Sequence, residues 1–153
     1  MAKKLSAGIL LYRKRKTGIE VLLVHPGGPF WAKKDDGAWS IPKGEYAEGE
    51  DPLAVAKREF YEETGSEVSG PCLELTAVRQ PSGKIVSAWA VEGDMDAAGI
   101  RSNTFSMEWP PKSGRVQSFP EIDRALWCGL AVARKKLLTG QRVFLDELEQ
   151  RIG

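Results

Sequence analysis

Residues 6–12 and 19–24 are two apolar runs rich in Ile, Leu and Val, separated by the basic stretch Arg13 to Lys16 and a Thr17-Gly18 pair. Such runs broken by a glycine turn predict a β-hairpin. Residues 25–38 follow as a predicted loop carrying Pro26, Gly27, Gly28, Pro29 and Gly37; a loop this long in a compact domain is often functional. Residues 39–42 read as a short strand leading into Lys43-Gly44. The clearest helix spans residues 52–64, with Asp51 as N-cap, Pro52 at the first helical position and Gly65 as the stop. Strands are expected over residues 73–80 and 84–91, joined across Pro81-Ser82-Gly83. The irregular stretch 92–117 holds one predicted strand, 104–109. A short strand over 125–128 and helices over 130–138 and 141–152 complete the pattern. Strands mixed with three helices predict an α/β sandwich with a central mixed β-sheet.

Composition narrows the function classes. A chain of 153 residues fits one domain, taken as 1–153. A net charge of +1 argues against a protein built to coat nucleic acid or an anionic membrane. The charge is uneven: the first 16 residues are basic, and residues 45–63 are strongly acidic. Cys72 and Cys128 form no CxxC pair, so neither a zinc site nor a secreted disulfide scaffold is indicated. The apolar run after Lys3 and Lys4 is short for a signal peptide and reads as a strand. No apolar segment approaches the roughly 20 residues that span a bilayer. A cytoplasmic location is the expectation, with no membrane partner and the oligomeric state open between monomer and homodimer.

The acidic helix carries the chemistry. Within Arg58-Glu59-Phe60-Tyr61-Glu62-Glu63-Thr64-Gly65, the side chains of Glu59, Glu62 and Glu63 fall within about 100° of one another on the helix. Three carboxylates on one stripe repel, and they sit near the helix end that disfavours negative charge. A hard divalent cation, which takes several oxygen ligands, would reverse the sign of that cost. Leu53, Ala56, Phe60 and Thr64 form a neighbouring apolar stripe suited to packing on a sheet. Arg58 stands four residues before Glu62 and could orient it, and Glu50 is a second partner for Arg58.

Upstream residues extend this pattern. Gly44, five residues, Glu50, seven residues, Arg58-Glu59, then Glu62-Glu63 and Gly65 match all seven fixed identities of the Nudix box. Average residue usage makes such a match rarer than about one in a million by chance. The segment 44–66 therefore resembles the Nudix family, departing only at Ser66, where an aliphatic residue is usual. Compensation by Val68 is expected there. The resemblance implies an α/β/α sandwich and magnesium (or manganese) held by Glu59, Glu62, Glu63 and the Gly44 carbonyl. It implies cleavage of a pyrophosphate bond in a small nucleotide. Glu50 and Arg58 would set the loop against the helix, Arg58 standing with the box glutamates in the catalytic set. Pro42-Lys43-Gly44 resembles a segment of relatives that split diadenosine polyphosphates, which places Lys43 on phosphate. Glu121, shortly before Ala125-Leu126-Trp127, is the expected extra glutamate, as metal ligand or general base, with Glu108 second.

The order of leading substrates is dinucleoside polyphosphate (Ap4A-like), then nucleoside triphosphate. ADP-ribose, capped RNA and diphosphoinositol phosphates stay open, as does a non-catalytic domain that binds nucleotide or RNA. His25, the only histidine, is a candidate phosphate contact. Of the tryptophans, Trp39 is placed with the substrate-binding residues, while any of Trp31, Trp39, Trp89, Trp109 and Trp127 could stack on a base. Gly27-Gly28 lacks the following Lys-Ser/Thr of a P-loop, so that reading fails.

Overall fold

The computed structural model describes residues 4–153; the start of the basic segment, residues 1–3, lies outside them. The strands are β1 (Leu5–Arg15), β2 (Gly18–Pro26), β3 (Lys43–Tyr46), β4 (Leu73–Glu74), β5 (Val78–Arg79), β6 (Ile85–Glu92), β7 (Thr104–Glu108), β8 (Val116–Pro120) and β9 (Ile122–Gly129). The helices are α1 (Pro52–Thr64), α2 (Leu130–Lys136) and α3 (Arg142–Ile152). A seven-stranded sheet runs β4-β6-β1-β2-β9, with β3 added to β1 and β5 to β6. The β1–β6 pair is parallel, from Leu5 opposite Ile85 to Tyr12 opposite Glu92, while β1–β2 and β2–β9 are antiparallel. The sheet is therefore mixed.

Alternation along β1 explains the layers. Ala7, Ile9 and Leu11 point to one face and pack with Val55, Ala56 and Phe60 of α1. Leu10 and Tyr12 point to the other and join Ala133 of α2 with Phe144, Leu145 and Leu148 of α3. The result is the expected α/β/α sandwich. Helix α1 begins as its sequence dictates: Asp51 accepts from the Leu53 N–H at 3.3 Å, and Gly65 closes it in the left-handed conformation. Val68 packs against the α1 face of the core, beside the polar Ser66.

Several boundaries differ from expectation. Residues 39–42 do not form a strand; they make only the single bridges Val24–Ser40 and Trp39–Leu137. Pro42 has no N–H to donate, and its carbonyl is taken by the Ile9 N–H at 3.1 Å. The strand begins instead at Lys43, antiparallel to β1. The predicted strand 73–80 is split into β4 and β5, both on β6. Strand β9 is longer than expected, and β7 pairs with the unforeseen β8 in a separate two-stranded sheet. At the start of the basic turn, Arg13 pairs with Glu20 at 2.8 Å and Asp94 at 2.7 Å, over the ring of Trp127. Among the described residues no helix is long and apolar enough to cross a membrane.

Candidate active site

Strand β3 and helix α1 meet at Gly44 and Glu59. A Cβ built on Gly44 would lie 2.0 Å from Glu59 Cδ and 2.3 Å from its Oε2. Only a residue without a side chain lets the carboxylate lie against that backbone. Arg58 reaches three carboxylates: Glu59 at 3.6 Å, Glu50 at 3.7 Å and Glu62 at 3.8 Å. Glu50 also accepts from the Ala47 N–H at 2.8 Å, which holds the turn before α1. One turn on, Glu63 is only 8% exposed and accepts from the Lys43 N–H at 3.3 Å.

Burial sets the electrostatics here. It pushes the Glu63 carboxyl up to about 8, against the pull of Lys43 and with an added push from Glu59 and Glu121. Glu59 is raised in the same direction by burial and then by Glu62, with Arg58 opposing. The Lys43 ammonium is lowered by burial and by Lys84. Desolvation thus outweighs the attraction between Lys43 and Glu63 on both sides of the pair. A further charge of the opposite sign would favour the charged form of each group: a cation beside the glutamates, or a phosphate beside the lysine.

Lys43 and Glu63 line a cavity of about 250 Å³ together with Glu121 and Trp31. Glu121 is fixed through its backbone: its N–H donates to the Asn103 carbonyl and its carbonyl accepts from the Gly27 N–H, both at 2.8 Å. Asn103 in turn donates its N–H to the Glu62 carbonyl at 2.8 Å. One residue therefore ties the last turn of α1 to the glutamate just before β9. Gly27 tolerates nothing larger, since a Cβ there would lie 1.9 Å from the Pro120 carbonyl oxygen. Its role is close approach to the Pro120-Glu121 segment between β8 and β9.

Three expected site residues are placed differently. His25 lies in β2, fully buried, with Nδ1 at 2.8 Å from Asp123 and Nε2 at 2.6 Å from the Lys34 carbonyl. Both ring nitrogens are engaged, so His25 offers phosphate nothing. Trp39 is 3% exposed, donates its indole N–H to Asp35 at 2.7 Å, and has Arg124 and Lys136 over its ring. It has no open face for a base. Glu108 sits at the far end of β7 opposite Val116, whereas Thr104 pairs with Pro120 beside Glu121. Four residue steps along the strand separate the two ends by about 13 Å, and the Glu108 carboxylate binds the Lys112 N–H.

Sequence reasoning left Trp31 undecided and missed Asn103 altogether. Trp31 lay in a loop already marked by its length. Asn103 acts only through its backbone, which leaves no trace in residue type. Among the described residues no three acidic, histidine or cysteine side chains stand close enough to enclose an ion. The box glutamates instead spread along the helix edge, with Arg58 beside Glu59 and Glu62 and Glu63 turned toward Lys43.

A model of the NUDIX domain matches residues 2–148. No curated protein sequence matches the chain. Among solved structures, an Ap4A hydrolase of C. elegans in a binary complex is similar at 23% identity and a TM-score of 0.63, covering 95% of this chain and 96% of its own. The NUDIX domain of Shewanella oneidensis NrtR, complexed with ADP ribose, is similar at 18% identity and a TM-score of 0.67, covering 100% and 90%. A MutT structure, from work on Aliivibrio salmonicida and Vibrio cholerae, gives 12% and 0.59, covering 99% and 100%. At these identities the likeness speaks for the fold, while the domain match spans nearly the whole chain and contains the complete box. The chain therefore belongs to the Nudix family, the hydrolases of nucleoside diphosphate-linked compounds.

Proposed function

We propose that the chain cleaves a pyrophosphate bond in a dinucleoside polyphosphate or a nucleoside triphosphate, using magnesium and acting in the cytoplasm. The observation that supports this most is the convergence of Lys43, Glu63 and Glu121 on one cavity at the end of the box helix. The donor set suits a hard cation: the carboxylates of Glu59, Glu62 and Glu63 with the Gly44 carbonyl, Glu59 lying directly against the bare Gly44 backbone. When bound there, magnesium or manganese would neutralise the bridging phosphates and lower the pKa of the attacking water. Lys43 holds a phosphate oxygen from the β3 side. Arg58 and Glu50 keep Glu59 and the preceding turn in register. Glu121 accepts the water's proton; its backbone anchors to Asn103 and Gly27 give it the fixed position a general base needs.

The Ap4A hydrolase and the ADP-ribose complex among the similar structures favour nucleotides as substrates without choosing between them. ADP-ribose and diphosphoinositol phosphates are the next compounds to try. The test is a panel of these compounds with purified protein, with magnesium and with chelator. Turnover abolished by chelator and by Glu62→Gln supports hydrolysis. Tight nucleotide binding with no product from any diphosphate would make the chain a binding module.

A further inference from the structure

Of the two exposed aromatics in the loop over the active-site cavity, Phe30 and Trp31, only Trp31 lines that cavity. It is 36% exposed and lines the same cavity as Lys43, Glu63 and Glu121. Its loop is held at several points. The Trp31 N–H reaches the Gly28 carbonyl at 3.4 Å, and the Lys34 N–H reaches the Trp31 carbonyl at 3.0 Å. The Lys34 carbonyl is fixed by buried His25, and Phe30 packs edge-on against Trp109 at 5.3 Å between centroids. Lys34 Nζ lies 5.0 Å from the Trp31 ring centroid and is not among the residues that line the cavity.

The rest of the cavity wall has little with which to read a base. Val24, Ile41, Ile122 and Leu138 are apolar. The Ser40 hydroxyl donates to the Ile41 carbonyl at 2.7 Å and accepts from Gln141 Nε2 at 3.0 Å. The backbones of Val24 and Ser40 bond to each other at 2.9 and 3.0 Å, and the Ile41 N–H goes to Gln141 Oε1 at 3.0 Å. The remaining polar side chains, Lys43, Glu63 and Glu121, belong to the phosphate end. A volume of about 250 Å³ is just under the roughly 300 Å³ at which drug-sized pockets begin, room for one ring system.

We infer that Trp31 is a stacking platform for a single nucleobase, and that the cavity accepts that base with little regard to its identity. The inference rests on the nucleotide reading above and specifies its recognition. Stacking is available to every base because every base has a π-face. Strong discrimination needs polar groups that are left unpaired by the wrong ligand, and here the Ser40 hydroxyl and the backbone groups of Val24, Ser40 and Ile41 are already bonded within the protein.

The test is calorimetric binding, in magnesium, of methylene-bridged non-hydrolysable triphosphates of adenosine, guanosine, cytidine and uridine, with inorganic tripolyphosphate as the base-free probe. The wild type is expected to bind all four nucleosides with affinities within about tenfold of one another, each tighter than tripolyphosphate. Trp31→Ala should weaken every nucleotide by about fivefold to a hundredfold and leave tripolyphosphate unchanged, with Trp31→Phe restoring most of the loss. Equal weakening of nucleotide and tripolyphosphate, or no weakening, would overturn the platform; a hundredfold preference for one base would overturn its indifference. If nucleotides respond to Trp31→Ala but none is hydrolysed, the platform stands and the catalytic reading fails. If nucleotides bind no better than tripolyphosphate while diphosphates are cleaved, the reverse holds.

Discussion

Gly44 and Glu59 occupy each other's space: the carboxylate of Glu59 fills the position that a side chain at Gly44 would take, with Cδ 2.0 Å from a built Cβ. Gly44 is not among the residues with positive φ, so its need for a bare backbone comes from this contact. Gly44→Ala should displace Glu59 and lower kcat by about a hundredfold or more, with a cost of about 1–3 kcal/mol in stability from overpacking. In a Glu59→Ala background the same substitution should add little, because the clash is gone. A double-mutant cycle in kcat measures this; additive losses would mean that Gly44 serves another purpose.

The raised Glu63 carboxyl gives the metal-free protein a characteristic pH dependence. Below the ordinary value of 4.5, folded and unfolded chains both hold the proton. Between 4.5 and about 8 the unfolded chain has lost it while the fold keeps it. The folded state then binds more protons, so this group's contribution makes stability fall as pH rises, on the order of 1 kcal/mol per pH unit inside that window. Glu63→Gln should flatten this component, and so should magnesium at saturation. Urea denaturation at a series of pH values measures it; identical profiles for wild type and variant would contradict the burial argument.

The helix was legible in sequence because its signals are local: a capping Asp51, Pro52 at the start, Gly65 at the stop, and fixed spacing between them. Glu121 was named through the resemblance, from its place shortly before Ala125-Leu126-Trp127, and it lines the cavity with Lys43 and Glu63. Strand β3 was misplaced because Lys43–Tyr46 pairs through backbone alone and shows no apolar alternation. Strand β8 is mostly exposed, so no buried face marks it. His25 was misread because its partner Asp123 stands 98 positions away, beyond any local pattern.

His25 joins Lys34 of the cavity loop to Asp123 of β9, two residues from Glu121. Its removal leaves a void and breaks the link between Lys34 and Asp123. His25→Ala should cost about 2–4 kcal/mol of stability. It should also raise KM, because the loop carrying Trp31 loses its anchor. Denaturation and steady-state kinetics measure the two effects. A stability change below about 0.5 kcal/mol would contradict the latch, since that is the range of surface substitutions.

The most direct test of the whole account is diffraction at the manganese edge from crystals grown with saturating Mn²⁺. The account expects anomalous density against the Gly44 carbonyl, with Glu59 and at least one of Glu62 and Glu63 drawn in as oxygen ligands and Arg58 released from Glu59. A helix edge free of density, its glutamates still paired with Arg58 and Lys43, would contradict it.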